Sequence, residues 1–183
     1  MGTASNRYRI LLTGPKHVGK TSTGRALALF WESDFIDLDE LIEQQTGSSP
    51  RTLYTQAPER LKEAETQALA SLIKAQATRP QIIAAGGGII DNEEAMALFN
   101  HSDMLIIYLE VSVETAWKRI CQGPLPPFLN TDNPQETHKT LHQRRAAAYK
   151  SIAHIIIPAE AQEPEHIVQD IIAACSHSLP LCT

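Results

Sequence analysis

The sequence predicts an α/β fold with three layers, in which helices cover both faces of a five-stranded parallel sheet. Five short apolar runs alternate with amphipathic stretches along the chain, which is the order of successive strand–helix units. The runs at 104–109 and 155–157 are apolar without alternation, as is typical of strands buried on both faces. Because the chain has 183 residues, 43% of them hydrophobic, we expect one domain over residues 1–183.

Each apolar run predicts a strand, and the stretches after the runs predict one or two helices each. The predicted strands cover residues 9–12, 35–37, 82–85, 104–109 and 154–157. The predicted helices cover residues 19–31, 39–46, 58–77, 91–99, 112–121, 135–153 and 165–175. Pro58 suits a first helical turn and Gly47 the position after a last one, while Asp91 and Ser112 are expected N-caps.

Other segments are expected to lack regular structure. Residues 122–135 contain four prolines, which exclude a continuous helix or strand there. Residues 176–183 are expected to form a frayed tail.

The composition excludes several classes of protein. A net charge of -5 and a pI of about 5.8 argue against a nucleic-acid-binding surface. No apolar run approaches the roughly 20 residues that a membrane-spanning helix needs. Cys121, Cys175 and Cys182 lack metal-ligand spacing and are expected to be reduced thiols. We therefore expect a cytoplasmic protein, a monomer, whose partner is a small molecule.

Residues 14–21 read GPKHVGKT and match the phosphate-binding pattern GxxxxGK[ST] between a predicted strand and a helix. Backbone N–H groups of such a loop, together with the helix N-terminus, bind phosphate oxygens. Lys20 is expected to reach the β- and γ-phosphates, and the Thr21 hydroxyl to join the shell of a Mg²⁺ ion. The predicted nucleotide-binding residues of this segment are Gly14, Pro15, Lys16, His17, Val18, Gly19, Lys20, Thr21 and Ser22.

Two carboxylates end the second predicted strand. Alternation along a strand would send Asp37 and Asp39 to the same side. Asp37 can hold Mg²⁺ through water, and Asp39 can orient an acceptor hydroxyl and take its proton. Alternatively, or in addition, Asp39 can be the N-cap of the helix that follows.

Gly86, Gly87 and Gly88 follow the third predicted strand directly. Three glycines cost too much chain entropy for an ordinary turn, so they indicate close approach of the backbone to a ligand. The alternative is a tight connection from strand to helix.

With these motifs the chain resembles the shikimate kinase family. The resemblance rests on the loop at 14–21, the run FIDLDELIE at 35–43, the glycines at 86–88 and the run RAAAY at 145–149. It implies a P-loop kinase fold with a mobile lid, here at about 122–135, and phosphorylation of the 3-hydroxyl of shikimate with ATP and Mg²⁺. It also implies that Arg145 binds the shikimate carboxylate, that Gly87 and its neighbours contact shikimate, and that Arg119 packs on adenine. Arg119 can alternatively be a solvated helix charge.

The sequence departs from the family pattern at three positions. Lys62 stands where the family has an arginine that binds the substrate carboxylate, Pro126 where the lid has an arginine, and His17 where the loop has a third glycine. Lys62 keeps the positive charge of the arginine but cannot form its two parallel hydrogen bonds to a carboxylate. Three hypotheses fit: a divergent shikimate kinase, a kinase for another small anionic polyol, or a nucleotide-binding protein with little catalysis that acts through a partner.

Overall fold

The computed structural model describes residues 9–75, 77–99, 104–160 and 163–176. Its centre is a five-stranded parallel sheet in the order β2-β3-β1-β4-β5. The strands are β1 (Arg9–Thr13), β2 (Asp34–Asp37), β3 (Gln81–Ala84), β4 (Met104–Glu110) and β5 (Ile155–Pro158). The predicted parallel α/β fold is thus confirmed.

The first strand lies in the middle of the sheet and explains where the site forms. In β1, Leu11 is paired with Ile83 of β3 on one side and with Ile106 of β4 on the other. Every residue of β1 is buried, which is why this strand shows no alternation of polar and apolar residues. The chain leaves β1 toward one side of the sheet and later returns to the other. Ligands bind beyond the carboxyl ends of strands at such a switch point.

Eight α-helices lie among the described residues and cover both faces of the sheet. They are α1 (Lys20–Phe30), α2 (Leu38–Thr46), α3 (Pro50–Gln56), α4 (Pro58–Lys74), α5 (Glu93–Phe99), α6 (Val113–Ile120), α7 (Pro134–Ile152) and α8 (Pro164–Ser176). One core cluster packs α1, α6 and α8 on the sheet, and a second packs α2 to α5 on the opposite face. Within the described part of the chain, no helix is long and apolar enough to span a bilayer.

Helix α3 was not predicted, although its start carries ordinary signals. The Ser49 hydroxyl oxygen accepts a hydrogen bond from the Thr52 N–H, and Pro50 occupies the first helical position. The helix has seven residues and buries only Leu53. Two turns are too short for a periodic apolar pattern to be recognised.

The N-cap predicted at Asp91 and the alternative cap at Asp39 are both wrong, and both corrections matter for the site. Asp37 caps α2 by accepting a hydrogen bond from the Asp39 N–H at 3.0 Å, so Asp39 is not the cap. Asn92 caps α5 by accepting from the Ala95 N–H at 3.2 Å. Asp91 instead ends a short 3₁₀ turn, Ile89–Asp91. The expected cap at Ser112 is confirmed.

The proline-rich segment is irregular apart from one 3₁₀ turn, Pro127–Leu129, whose Leu129 is fully buried. The three residues before this buried side chain, 126–128, line the cleft described below. The predicted frayed tail at 176–183 lies outside the described residues, except for Ser176, which ends α8.

Candidate active site

The loop between β1 and α1 has the backbone that its glycines permit. Gly14 and Gly19 have φ angles of 141° and 104°, which L-residues rarely adopt. A Cβ on Gly14 would lie 2.6 Å from the carbonyl oxygen of Leu109 in the neighbouring strand β4. Glycine is therefore required at both ends of the loop by backbone geometry alone.

His17 adopts the left-handed conformation with a φ of 60°. Histidine is one of the residues that tolerate this region, although glycine enters it without steric cost. Burial lowers the pKa of His17, and the nearby charges of Lys16 and Lys20 lower it further. His17 is therefore compatible with the left-handed turn of the loop, and its imidazole favours the neutral form because its pKa is lowered.

Lys20 closes the loop with two hydrogen bonds. Its Nζ donates to the carbonyl oxygens of Gly14 at 2.9 Å and of Pro15 at 2.7 Å. Burial lowers its pKa to about 8, and the carboxylates of Asp39 and Asp37 partly oppose that shift. A poorly solvated cation in this position gains from an approaching phosphate, which would replace the lost water.

Thr21 and Asp37, the two residues predicted to hold Mg²⁺, contact each other. The Thr21 hydroxyl donates to Asp37 Oδ2 at 2.8 Å, while Asp37 Oδ1 caps α2. In the part of the chain that the structure covers, no group of three or more His, Cys, Asp or Glu residues could hold a metal ion. A Mg²⁺ ion here would thus take most of its ligands from phosphate oxygens and water, as is usual for this ion.

Asp39 reaches the cleft by a different route from the one predicted. It lies in the first turn of α2 rather than on β2, so strand alternation does not place it. A Cβ built on Gly86 would lie 3.0 Å from Asp39 Oδ1, so the carboxylate lies against the glycine segment. Burial raises the pKa of Asp39, and the charge of Asp37 adds to the increase. A raised pKa suits a group that must accept a proton near neutral pH.

The three glycines connect the phosphate loop to the rest of the cleft. A Cβ on Gly87 would lie 3.0 Å from the Lys16 backbone nitrogen and 3.2 Å from the Gly14 carbonyl oxygen. The Tyr149 hydroxyl donates a hydrogen bond to the Gly87 carbonyl oxygen. The glycines therefore make room for protein backbone as well as for the Asp39 carboxylate. This observation supports the tight-connection alternative, while their contact with a ligand stays a prediction.

Sequence reasoning assigned no role to Glu65, whose side chain lies in the cleft wall. Residue Glu65 is only 4% exposed, and the Asn92 amide donates to its Oε2 at 3.1 Å. Burial raises the pKa of Glu65 to about 7 against the opposing effect of the Asn92 hydrogen bond. The signal was present in the sequence: Glu65 interrupts the apolar face of α4 between Leu61 and Ala68.

Arg145 lies at the far end of the cleft, where the proline-rich segment meets α7. Its Nε and Nη2 donate to Asp91 Oδ2 at 2.9 and 2.8 Å. The ring of Phe128, from the proline-rich segment, lies with its centre 5.4 Å from the guanidinium carbon. Phe128 also meets the Tyr54 ring of α3 edge-on, with the centroids 6.4 Å apart. The proline-rich segment thus packs directly on the predicted carboxylate-binding residue.

A single cleft of about 1230 Å³ contains most of the predicted residues. This volume exceeds the roughly 300–1,000 Å³ of an ordinary ligand pocket, so it has room for a nucleotide and a second substrate. The predicted site residues that line it are Lys16, His17, Gly19, Lys20, Thr21, Ser22, Asp37, Asp39, Lys62, Gly86, Gly87, Gly88 and Arg145.

The remaining predicted residues do not line this cleft. Val18 is 2% exposed and packs in the core, so only its backbone can meet a phosphate. Gly14 and Pro15 hold Lys20 through their carbonyl oxygens. Arg119 donates from Nη2 to the carbonyl oxygens of Ala159 and Glu160 at 3.0 and 2.9 Å, which ties α6 to the segment after β5.

The cleft concentrates positive charge in an otherwise acidic protein. Anionic substrates are favoured by such local clustering, whatever the net charge of the whole chain. The cations that line the cleft are Lys16, Lys20, Arg25, Arg51, Lys62, Arg144 and Arg145. The cleft combines a phosphate loop, the carboxylates of Asp37 and Asp39 and this cationic lining on a five-stranded parallel sheet. Together these features define a P-loop kinase for a small molecule.

Comparison with known proteins gives the family. The family model described as "Shikimate kinase" matches residues 16–176. The shikimate kinase of Marinomonas sp. (strain MWYL1) is 30% identical over 173 residues, which cover 94% of each sequence. The shikimate kinase of Nitrosospira multiformis is 32% identical over 163 residues, covering 88% of this chain and 82% of the relative. The chain therefore belongs to the shikimate kinase family, and it is a phosphotransferase of that type.

A solved structure extends the likeness to three dimensions. The shikimate kinase from Acinetobacter baumannii in complex with shikimate superposes with a TM-score of 0.84. It is 26% identical, and the match covers 96% of this chain and 97% of that one. Family membership implies the use of ATP and Mg²⁺. The alternatives of another polyol acceptor and of a non-catalytic nucleotide binder are not favoured by these relatives.

Proposed function

We propose that this protein transfers the γ-phosphoryl group of MgATP to the 3-hydroxyl of shikimate. One observation carries the proposal: the Asp39 carboxylate and the Arg145 guanidinium lie in the same cleft as the phosphate loop. A hydroxyl acceptor that also bears a carboxylate would need a base and a cation placed in this way. The relative that is described in complex with shikimate supports the choice of acceptor.

The nucleotide half of the cleft would hold MgATP. Backbone N–H groups of the loop and the N-terminus of α1 would bind the phosphates, and Lys20 would lie at the β- and γ-phosphates. The Thr21 hydroxyl and Asp37, already 2.8 Å apart, would hold Mg²⁺, Asp37 through water. Bound Mg²⁺ neutralises charge that develops on the phosphate oxygens. Arg119 would flank the adenine beside the segment after β5.

Asp39 would orient the acceptor hydroxyl in line with the γ-phosphorus. As the hydroxyl oxygen bonds to phosphorus and the bond to the ADP oxygen breaks, the hydroxyl proton passes to the Asp39 carboxylate. The raised pKa of Asp39, caused first by burial, favours acceptance of this proton. Lys20 would stabilise the charge that moves onto the leaving ADP.

The acceptor carboxylate would be bound by Arg145 together with Lys62. Lys62 lines the cleft from α4, but an ammonium group acts as a point charge and does not form the paired hydrogen bonds of a guanidinium. Arg145 would therefore supply the geometric part of recognition. Gly86, Gly87 and Gly88 would contact the acceptor ring with their backbone.

The lid has no cation at Pro126, and the first two basic side chains that follow it along the chain, His138 and Lys139, do not replace one. His138 is 4% exposed and packs against Trp117, and Lys139 pairs with Glu136. Arg51 of α3 does line the cleft, and its Nη2 donates to the lid carbonyl of Leu125 at 3.3 Å. Closure of the segment at 122–135 would exclude water from the transfer.

The test is an assay of ADP release coupled to NADH oxidation. Parallel reactions contain MgATP with shikimate, quinate, gluconate or no acceptor. Turnover that depends on shikimate, and is at least about tenfold slower with the other acids, is the expected result. Background turnover alone, with MgATP bound in a direct binding measurement, would contradict the proposal and favour another hydroxy acid. A sizing experiment on the same sample tests the expected monomer.

A further inference from the structure

Asp91 connects two arginines at the acceptor end of the cleft. Arg145 donates to Asp91 Oδ2 from Nε at 2.9 Å and from Nη2 at 2.8 Å. Arg144 Nη2 donates to the same oxygen at 3.0 Å. The side chains of Arg145 and Asp91 are 17% and 24% exposed, so their pair is largely shielded from water. Contacts of this kind fix a side chain, whereas solvent-exposed ion pairs do so weakly.

The guanidinium of Arg145 presents two edges to acceptors, and Asp91 occupies only one. Nε and Nη2 form the side edge, which Asp91 binds. Among the residues described in the structure, Nη1 has no hydrogen-bond partner. One face of the group is packed under the Phe128 ring. The donors that remain for a ligand are Nη1 and the second hydrogen of Nη2, and these form the end edge that binds a carboxylate with two hydrogen bonds.

We propose that Asp91 is a positioning residue for the reaction, which holds Arg145 so that its end edge binds the acceptor carboxylate. The inference rests on the proposed function, in which Arg145 binds that carboxylate. Lys62 cannot form the paired hydrogen bonds, so the orientation of Arg145 decides how the acceptor is aligned. An arginine that is already ordered does not lose rotamer entropy when the acceptor binds.

The negative charge of Asp91 does not abolish attraction for the acceptor, because two arginines share it. Arg144 and Arg145 both pair with Asp91, which leaves one net positive charge on the three residues. Lys62 adds a further cation to the wall of the same cleft. With Asp91 in place, this end of the cleft therefore still carries a net positive charge toward the acceptor carboxylate.

Asp91→Ala and Asp91→Asn test the inference by steady-state kinetics on the full chain. The alanine variant should raise the KM for shikimate about fivefold to tenfold, the cost of ordering one long side chain on binding. The kcat and the KM for MgATP should stay within about twofold, because the lost interaction is equal in ground and transition states. The asparagine variant keeps an oxygen acceptor for the Nε hydrogen and should recover part of the affinity.

The matched control is Glu93→Gln, which removes an exposed acid two residues further along the chain. It lies in the first turn of α5 and does not line the cleft. Neither KM should change in this variant. The nearly isosteric asparagine variant keeps the test decisive even where the alanine variant fails to fold.

Shikimate methyl ester provides the second arm, because it lacks the negative charge that Arg145 would bind. The wild type and Asp91→Ala should have the same KM for the ester within about twofold, since coupled groups are not additive. A merely structural role would impair use of both acceptors alike. An equal loss with the ester, or an unchanged or lower KM for shikimate, would overturn this inference alone. A wild type that does not phosphorylate shikimate would overturn the proposed function, and the inference with it.

Discussion

The two halves of the cleft are built in different ways. The nucleotide half comes almost entirely from one stretch of chain, residues 14–22, with Asp37 added from β2. The acceptor half combines α2, α4, the glycine segment, α7 and the proline-rich segment. The first is fixed by backbone geometry at Gly14 and Gly19, and the second by pairs such as Asp91 and Arg145. The three departures from the family pattern divide accordingly.

The departure in the nucleotide half, His17, is compatible with the conformation of the loop. The two departures in the acceptor half, Lys62 and Pro126, change the charged groups there. His17 adopts a left-handed φ of 60°, a region that histidine tolerates and that glycine enters freely, so a histidine is compatible with this loop backbone. At Lys62 and Pro126, where the family pattern has arginine, this chain has a point charge and an uncharged residue. We therefore expect mutations in the first half to affect whether catalysis occurs, and most mutations in the second to affect how the acceptor binds.

The largest effect is expected in the nucleotide half. Lys20→Ala removes the cation that we propose to bind the transferring phosphate, together with both hydrogen bonds to the loop carbonyls. The value of kcat/KM should fall on the order of 10³-fold or more. Lys74→Ala, an exposed lysine in the last turn of α4, serves as the control in the ADP-release assay. Full activity without Lys20 would mean that the phosphate loop is not the catalytic site.

Asp39→Asn distinguishes an effect on catalysis from an effect on MgATP binding. The amide cannot take the hydroxyl proton, so kcat should fall on the order of 10²- to 10⁴-fold. Binding of MgATP, followed by calorimetry, should change less than about threefold because Asp39 lies on the acceptor side, against Gly86. Asp34→Asn, at the exposed start of β2, is the control. Loss of MgATP binding in the Asp39 variant would place this carboxylate with the nucleotide instead.

Pro126→Arg tests the acceptor half by adding a cation to the proline-rich segment. We expect it to raise kcat or lower the KM for shikimate by about threefold, the range of a partly exposed ion pair. Pro124→Arg adds the same charge to the same segment at a position that does not line the cleft, and should have little effect. An unchanged or poorer Pro126 variant would indicate that this lid uses another cation. Arg51 would then be the residue to replace next.

The smallest effect concerns the helix that carries Arg145. His138 and His142 of α7 are buried, with their rings 5.7 Å apart, and His138 also meets Trp117. Burial lowers the pKa of both below the ordinary 6.5. The other histidine and Arg145 lower that of His138 further, while the Val111 carbonyl and three glutamates (Glu114, Glu110 and Glu160) oppose the shift at His142.

The sign of the resulting pH dependence follows from linkage. The unfolded chain binds protons at these two histidines more tightly than the folded protein does. The free energy of unfolding is therefore not reduced by them above pH 6.5, and it declines as the pH falls from there toward the folded pKa values. The slope is at most about 1.4 kcal/mol per pH unit for each histidine. Thermal midpoints between pH 7.5 and 5.5 should show this decline, and His138→Phe should reduce it. His166→Gln, exposed on α8, is the control, and an equal slope in the His138 variant would contradict the assignment.

The amino-acid pattern alone predicted the succession of strands and longer helices, and the residues of the nucleotide half are a prediction from the same pattern. Apolar runs report burial directly, and the residues of a phosphate loop are neighbours along the chain, so their spacing contains their geometry. The glycines, Lys20 and Thr21 could therefore be read without knowing the fold. The same reasoning missed α3 because a helix of seven residues with one buried side chain leaves almost no periodic pattern.

The contacts around the acceptor end could not be predicted before the fold was known. Asp91 and Arg145 are separated by 54 positions along the chain, and nothing in either segment names the other as its partner. Asp39 reaches the cleft from a helix rather than from a strand, because Asp37 caps that helix. Glu65 is buried beside Asn92 by the packing of α4 on α5. These contacts depend on how helices pack across a sheet, and a linear pattern does not encode that arrangement.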